Sequence, residues 1–395
     1  MFFVNSKMDV PSVQHVFDKS KPKDSLRDLI TFLFPDHGSD VEGLKITELD
    51  QGTTNGLLKV SSEGNGIVST ALIKVYGDGT ETTIDREKEI RFHDILSHHG
   101  FAPPLIVRFL NGHAYGFVPG RVCSATDIAD ERVWRGVARE LAHWHAVLPV
   151  VDMDNLNESI LEHQPNVWST AKRWLEALPE DTVQHKAQKE LLKSEFLDLV
   201  GRLQPEDPNS SPLVFGHGDL LCGNIILQGP VEGAAQDEVE TAKFIDYEHS
   251  TYCSREFDLA NHFAEWAGFE CNYNLLPATS TRREFIREYL QAYQSFAAGQ
   301  EHNGQDRASY PPEKLEDDVR ELMSQVDVYR GFPGFYWGLC ALIQAQAATG
   351  SIDFDYAGYA ELRFAEYRAW REQETFGKQR GGEDMSLREM KWAAK

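Results

Sequence analysis

The chain has 395 residues, 41% apolar and 11% aromatic, enough for one two-lobed domain or two domains and too long for a single small module. Lysine and arginine total 39 against 62 aspartates and glutamates, a formal charge of −23 that sets the chain against polyanionic partners: no nucleic acid, and no electrostatic docking to anionic lipid. Five scattered cysteines with no CxxC pair support neither a zinc knuckle nor a disulfide framework. MFFVNSKMDVP lacks the charged start of a signal peptide, and no apolar run is long enough to span a bilayer. A cytoplasmic protein without stable membrane insertion is expected.

Residues 1–43 carry an amphipathic stretch, Leu26, Leu29, Ile30, Leu33 and Phe34, at helical spacing, and read as an N-terminal helical extension. From 44 the texture turns to short β-like runs, GLKITEL, LLKVSS and ALIKVYG, the first two joined by the glycine-bearing QGTTNG. IDREKEIRFHDILSHHG predicts a helix with Gly100 at its C-terminal end. PLIVRFL and AYGFV then flank Asn111–Gly112, a hairpin signal. Residues 133–148 return to a helical period. LVFGHGDLLCGNIIL (213–227) reads as strand, polar turn and strand; KFIDYE (243–248) is another strand, after a solvated hairpin loop over 229–240. Helices dominate 254–297 and 313–372, and the charged tail 377–395 is expected to be mobile. The predicted organisation is α+β, with the extension 1–43, a β-rich lobe 44–118, a mainly helical lobe 119–376 and the tail.

The sharpest chemical signal is His217-Gly218-Asp219-Leu220-Leu221-Cys222-Gly223-Asn224, an H-x-D-x-x-x-x-N pattern between apolar strands. Phosphoryl transfer from ATP needs a carboxylate to orient the attacking hydroxyl and accept its proton, and a nearby amide oxygen for Mg2+. Twenty-two residues past Asn224, Asp246 offers the second carboxylate that a metal bridging the phosphates requires. A lone HxD is ordinarily a turn with a satisfied histidine; the joint pattern is far rarer. The first half should then hold the rest of the site. Gly52, Thr53, Thr54, Asn55 and Gly56 form a hairpin loop whose backbone N–H groups suit phosphates, although such loops are often plain hairpins. Lys74 lies inside an apolar strand, where an ammonium needs a partner, and the following helix offers Glu87 and Glu89, with Glu89 narrowly preferred.

With these residues in hand, HGDLLCGNIIL followed by FIDYEHSTYCSREFDLANHFAEW resembles the choline/ethanolamine kinase family, and the resemblance extends over about 45–370, ethanolamine kinases being the nearer branch. It implies a protein-kinase-like two-lobed fold, ATP and Mg2+ as cofactors, and a small amino alcohol as substrate. It also implies roles: Asp219 as catalytic base with His217 organising its loop, Asn224 and Asp246 as metal ligands, and Lys74 as the phosphate-contacting cation, where many members carry arginine. The backbone around Phe117 and Val118 would meet adenine, and Asp258, Asn261 and His262 would brace the catalytic loop. Trp337 and Tyr359 match positions of the aromatic cage that holds choline by cation–π attraction. His249 stands where a tyrosine is common and Cys340 where a second tryptophan is. With two ring faces gone, a primary ammonium seeking acceptors such as Glu248, Glu265 or Glu270 is favoured over a quaternary one. Choline kinase or a dual enzyme, another small-molecule kinase of the same fold, and a silent pseudokinase acting as a binding module stay open, as does a homodimer built on the apolar first hundred residues.

Overall fold

The computed structural model describes residues 10–37, 40–49, 55–64, 67–150, 166–204, 213–229, 238–299, 310–347, 354–380 and 385–395. Gly52, Thr53 and Thr54, and most of the 229–240 loop, lie outside them. The chain divides into two compact units, Met1–Pro119 with Ala347–Phe354, and Gly120–Gln346 with Asp355–Lys395.

The first unit is built on a five-stranded antiparallel sheet of β1 (Lys45–Leu49), β2 (Asn55–Gly64), β3 (Ile67–Tyr76), β4 (Leu105–Phe109) and β5 (Gly112–Gly116), in the order β1-β2-β3-β5-β4. The amphipathic stretch breaks into two short helices, α1 (Pro22–Leu26) and α2 (Ile30–Leu33), the second stopping before Phe34, the residue that precedes Pro35. Leu26, Leu29, Ile30 and Leu33 are buried in one core with Leu58, Val60, Ile73 and Val107, so this stretch is part of the sheet's own packing. The N-terminal segment also shields the open edge of the sheet: Arg108 N donates to Pro11 O at 2.8 Å and Val13 N to Arg108 O at 2.9 Å.

The hairpin between β4 and β5 turns at Leu110–Asn111, one residue earlier than expected, and pairs Phe109 with Gly112. Two contacts explain the shift. A Cβ on Gly112 would meet the Lys74 carbonyl oxygen at 2.1 Å, so the glycine serves close strand approach instead of the turn. The Asn111 amide is taken up by Phe17, accepting from its N–H at 2.8 Å and donating to its carbonyl at 3.0 Å. Helix α3 (Arg86–His98) begins at Asp85, whose carboxylate caps Lys88 N, and ends against Gly100, which takes the left-handed φ of 78° its position requires.

The second unit holds a three-stranded ribbon, β6 (Arg121–Val122), β8 (Ile225–Leu227) and β9 (Ala242–Phe244), and a pair, β7 (Leu213–Gly216) with β10 (Thr251–Ser254). Around them pack α4 (Glu131–Val147), α5 (Val167–Ala177), α6 (Val183–Leu203), α7 (Arg255–Glu265), α8 (Thr279–Ala297), α9 (Pro312–Tyr329), α10 (Phe332–Ala347) and α11 (Tyr356–Arg380). The end of the tail, expected to be mobile, instead forms α12 (Leu387–Ala393) with Arg388, Glu389 and Trp392 buried. Trp392 explains it: its indole donates to Asp327 at 2.7 Å and its carbonyl accepts from the buried Arg282 at 2.9 Å. Among the described residues no helix is long and apolar enough to cross a membrane.

Candidate active site

The H-x-D-x-x-x-x-N segment leaves β7 at Gly216, turns through Gly218 and ends in a 3-10 turn at Asn224 that feeds β8. Gly218 has a φ of 77°, and a Cβ there would meet the His249 carbonyl oxygen at 2.5 Å, so glycine is required twice over. One stripe of α7 holds this loop. Residues 258, 261, 262 and 265 share a helical face, and each of the first three grips successive backbone groups of the loop. Asp258 accepts from His217 N at 3.0 Å and Gly218 N at 2.9 Å; Asn261 donates to Gly218 O at 2.9 Å; His262 donates to Leu220 O at 2.8 Å. Asp258 is fully buried, which alone would raise its carboxyl, but His145 and the loop N–H groups more than offset this and hold it below its usual value.

The tautomers follow from the partners. His262 Nε2 faces the Trp266 indole, a donor only, so Nδ1 carries the proton given to Leu220 O. His217 donates from Nε2 to Ile245 O at 3.1 Å and accepts on Nδ1 from Asp219 N at 3.3 Å. Burial pulls both rings down to about 4, so both stay neutral near pH 7. The His217 ring also stacks on Trp144, 5.5 Å between centroids.

Asp219 is packed against Asn224, whose Nδ2 donates to the Asp219 carbonyl at 2.8 Å and approaches its Oδ2 at 3.3 Å. Both amide protons face Asp219, which leaves the amide oxygen of Asn224 for another ligand. Burial, then the charges of Glu265, Asp246 and Glu248, push the Asp219 carboxyl well above its ordinary range. That surplus of negative charge is a place for cations. Asp246 lies two residues beyond β9, where a strand end was expected, and adopts a φ of 65°, one of two non-glycine residues with positive φ among those described. Since Ile225 pairs with Phe244, Asn224 and Asp246 leave neighbouring strands at the same end of the ribbon. One amide oxygen and one carboxylate are hard donors that suit magnesium when phosphates and water complete the shell. Among the described residues no three His, Cys, Asp or Glu side chains form a closed metal cage.

Glu248, His249, Glu265, Trp337 and Tyr359 are all buried. The His249 ring meets Trp337 edge-on at 5.0 Å and Trp174 at 6.3 Å, with its Nε2 3.9 Å from Glu248 Oε1. Trp174, on α5, was missed by sequence reading; its helical period marks it only as core. Glu265 ends the α7 stripe and pairs with Arg363 at 2.9 Å, while Glu270 lies outside that buried set.

In the first unit, Lys74 Nζ lies 2.8 Å from Glu89 Oε1, both buried. Glu87 faces outward and pairs with Arg108. Arg86 joins the same cluster, 2.9 Å from Glu89 Oε2 and 2.9 Å from Asn55 Oδ1, over the Tyr76 ring. Phe117 and Val118 follow β5, half-buried and outside any strand or helix, Phe117 under the Lys59 ammonium at 4.0 Å.

The sequence profile of the choline/ethanolamine kinase family matches residues 46–368. The probable ethanolamine kinase of Nematostella vectensis is 31% identical over 367 residues, covering 91% of this chain and 96% of its own. Human ethanolamine kinase 1 is 30% identical over 335 residues, 83% of this chain and 68% of its own. The solved ethanolamine kinase of Plasmodium vivax superposes with a TM-score of 0.70 at 24% identity, covering 89% of this chain and 91% of that one. This structural likeness establishes the α+β, protein-kinase-like fold.

Proposed function

The chain belongs to the choline/ethanolamine kinase family, and we propose that it transfers the γ-phosphoryl group of ATP to ethanolamine, yielding phosphoethanolamine for the CDP-ethanolamine route to phosphatidylethanolamine. The observation that supports this reading is the set of buried carboxylates whose charge acts on Asp219, among them Glu265 and Glu248, which would receive a small ammonium, with the buried His249 standing where the family commonly carries a tyrosine of the cage. Relatives aligned over most of the chain bear the name ethanolamine kinase.

In this reading Asp219 orients the substrate hydroxyl and takes its proton as the oxygen attacks the γ-phosphorus and ADP leaves. His217, with both ring nitrogens engaged by backbone, holds the loop and relays no proton to the substrate. Asn224 and Asp246 would hold magnesium, which supplies charge neutralisation on the phosphates. Lys74, oriented by Glu89, contacts phosphate; Gly52, Thr53, Thr54 and Asn55 cover it; the backbone of Phe117 and Val118 meets adenine. Glu248 and Glu265 accept the ammonium, with His249, Trp337 and Tyr359 as walls. A cytoplasmic location fits the five unpaired cysteines.

Steady-state specificity constants for ethanolamine, its N-methylated series and choline test the substrate. Ethanolamine should lead choline by at least about tenfold, a difference of about 1.4 kcal/mol; a tenfold choline preference overturns the assignment. Folded Asp219→Asn should lose several orders of magnitude in kcat with ethanolamine, and near-normal turnover would remove Asp219 from the mechanism.

A further inference from the structure

Glu265 is anchored from behind by a residue that no motif singles out. Arg363, on α11, is completely buried, with Nη2 2.9 Å from Glu265 Oε1 and Nε 3.3 Å from Glu366 Oε2 one turn along its own helix. The guanidinium also lies toward the Tyr359 ring, 5.8 Å from its centroid. We propose that Arg363 is a positioning residue for amine recognition: it holds the Glu265 carboxylate beside Asp219 as the acceptor for the substrate's primary ammonium.

Three observations carry this. A guanidinium stays charged at any working pH, so a fully buried one must be matched by carboxylates. Here two carboxylates face one cation, and the cluster keeps a net negative charge that an incoming ammonium neutralises. Second, a carboxylate oxygen can accept two hydrogen bonds, and the buried Glu265 Oε1, which meets Arg363 Nη2 at 2.9 Å, keeps capacity for a further N–H donor. Third, Glu265 lies one turn beyond Asn261 on the face of α7 whose Asn261 and His262 hold the Gly218 and Leu220 carbonyls on either side of Asp219, which sets the acceptor on the same face as the catalytic loop. Burial and Glu366 push the Glu265 carboxyl up and Arg363 opposes them, so the guanidinium favours the ionised form that an ammonium needs.

This inference rests on the ethanolamine reading, and its test separates the two. Arg363→Lys keeps the charge and loses the planar fork. It should raise KM for ethanolamine about tenfold or more while KM for ATP and kcat stay within about threefold. In a Glu265→Gln background the same change should add little, because the arginine acts through the glutamate. If Arg363→Lys does not fold, Arg363→Gln with Glu366→Gln removes one charge of each sign and reads the same split. A wild-type enzyme that turns over ethanolamine, with KM unmoved in these variants or with effects that add to Glu265→Gln, overturns the role of Arg363. A wild-type enzyme that ignores ethanolamine overturns the substrate reading instead.

Discussion

The indole of Trp337 donates from Nε1 to Asn261 Oδ1 at 2.8 Å, and the same Asn261 amide donates from Nδ2 to the Gly218 carbonyl. One side chain on α7 thus sets a ring of α10 against the loop that carries Asp219. Trp337→Phe keeps an aromatic face but strands a buried acceptor, so urea denaturation should show a loss of about 1–3 kcal/mol. The KM for ethanolamine should rise with no change for ATP. An unchanged ethanolamine KM would separate Trp337 from the amine pocket.

The Lys74–Glu89 pair is buried, and Arg86 leans on the same carboxylate. Removing one charge of such a pair leaves the other uncompensated, so Glu89→Gln should destabilise by about 3–5 kcal/mol and raise the KM for ATP. Lys74→Met with Glu89→Leu should recover most of the stability and none of the activity. Recovery of activity as well would mean that the pair serves only the fold.

Much of this was legible in the sequence, for reasons that particular residues make plain. Asp219, Asn224 and Asp246 could be singled out together because one loop and one hairpin can bring residues at that spacing to one place, as the Asn224–Asp219 hydrogen bond and the pairing of Ile225 with Phe244 do. The family resemblance implied that Asp258, Asn261 and His262 brace the catalytic loop, but not which groups they hold, since a backbone acceptor leaves no residue-type signature. Asn111 illustrates local preference losing to tertiary contact: its amide serves Phe17, and Gly112 serves the strand crossing at Lys74. The tail read as mobile from its charge, yet Arg388 and Trp392 are buried by partners on α8 and α9 more than fifty residues away. Long-range pairing of that kind, like Arg363 with Glu265, carries no local pattern.

Four buried histidines make stability depend on pH. Burial lowers His93, His217 and His262 to about 4 and His113 to about 3, whereas the unfolded chain titrates near 6.5. Between those values the unfolded state binds more protons, so stability is complete above about pH 6.5 and is lost as pH falls toward 4. At pH 5 each ring costs about 2 kcal/mol. Asp219 and Glu265, whose carboxyls are raised, run the opposite way, so the informative quantity is a difference. His93→Gln, which can still donate to the Pro103 carbonyl, should flatten the stability-versus-pH slope between pH 7 and 5. A slope identical to wild type would show that His93 does not titrate on unfolding.

His249 sits edge-on to both Trp337 and Trp174 with only 8% of its side chain exposed, so its substitution changes the pocket wall without opening it to water. A tyrosine there restores a ring face, and a ring face attracts a quaternary cation by about 0.5–2 kcal/mol. A primary ammonium gains less, because its stronger contacts are N–H donors to Glu248 and Glu265. His249→Tyr should therefore raise the specificity constant for choline relative to ethanolamine by about threefold to tenfold. The measurement is the ratio of the two specificity constants under one set of conditions, which cancels any general loss of activity. A ratio that stays put, or moves toward ethanolamine, would mean that the ring at this position does not set the choice between amines.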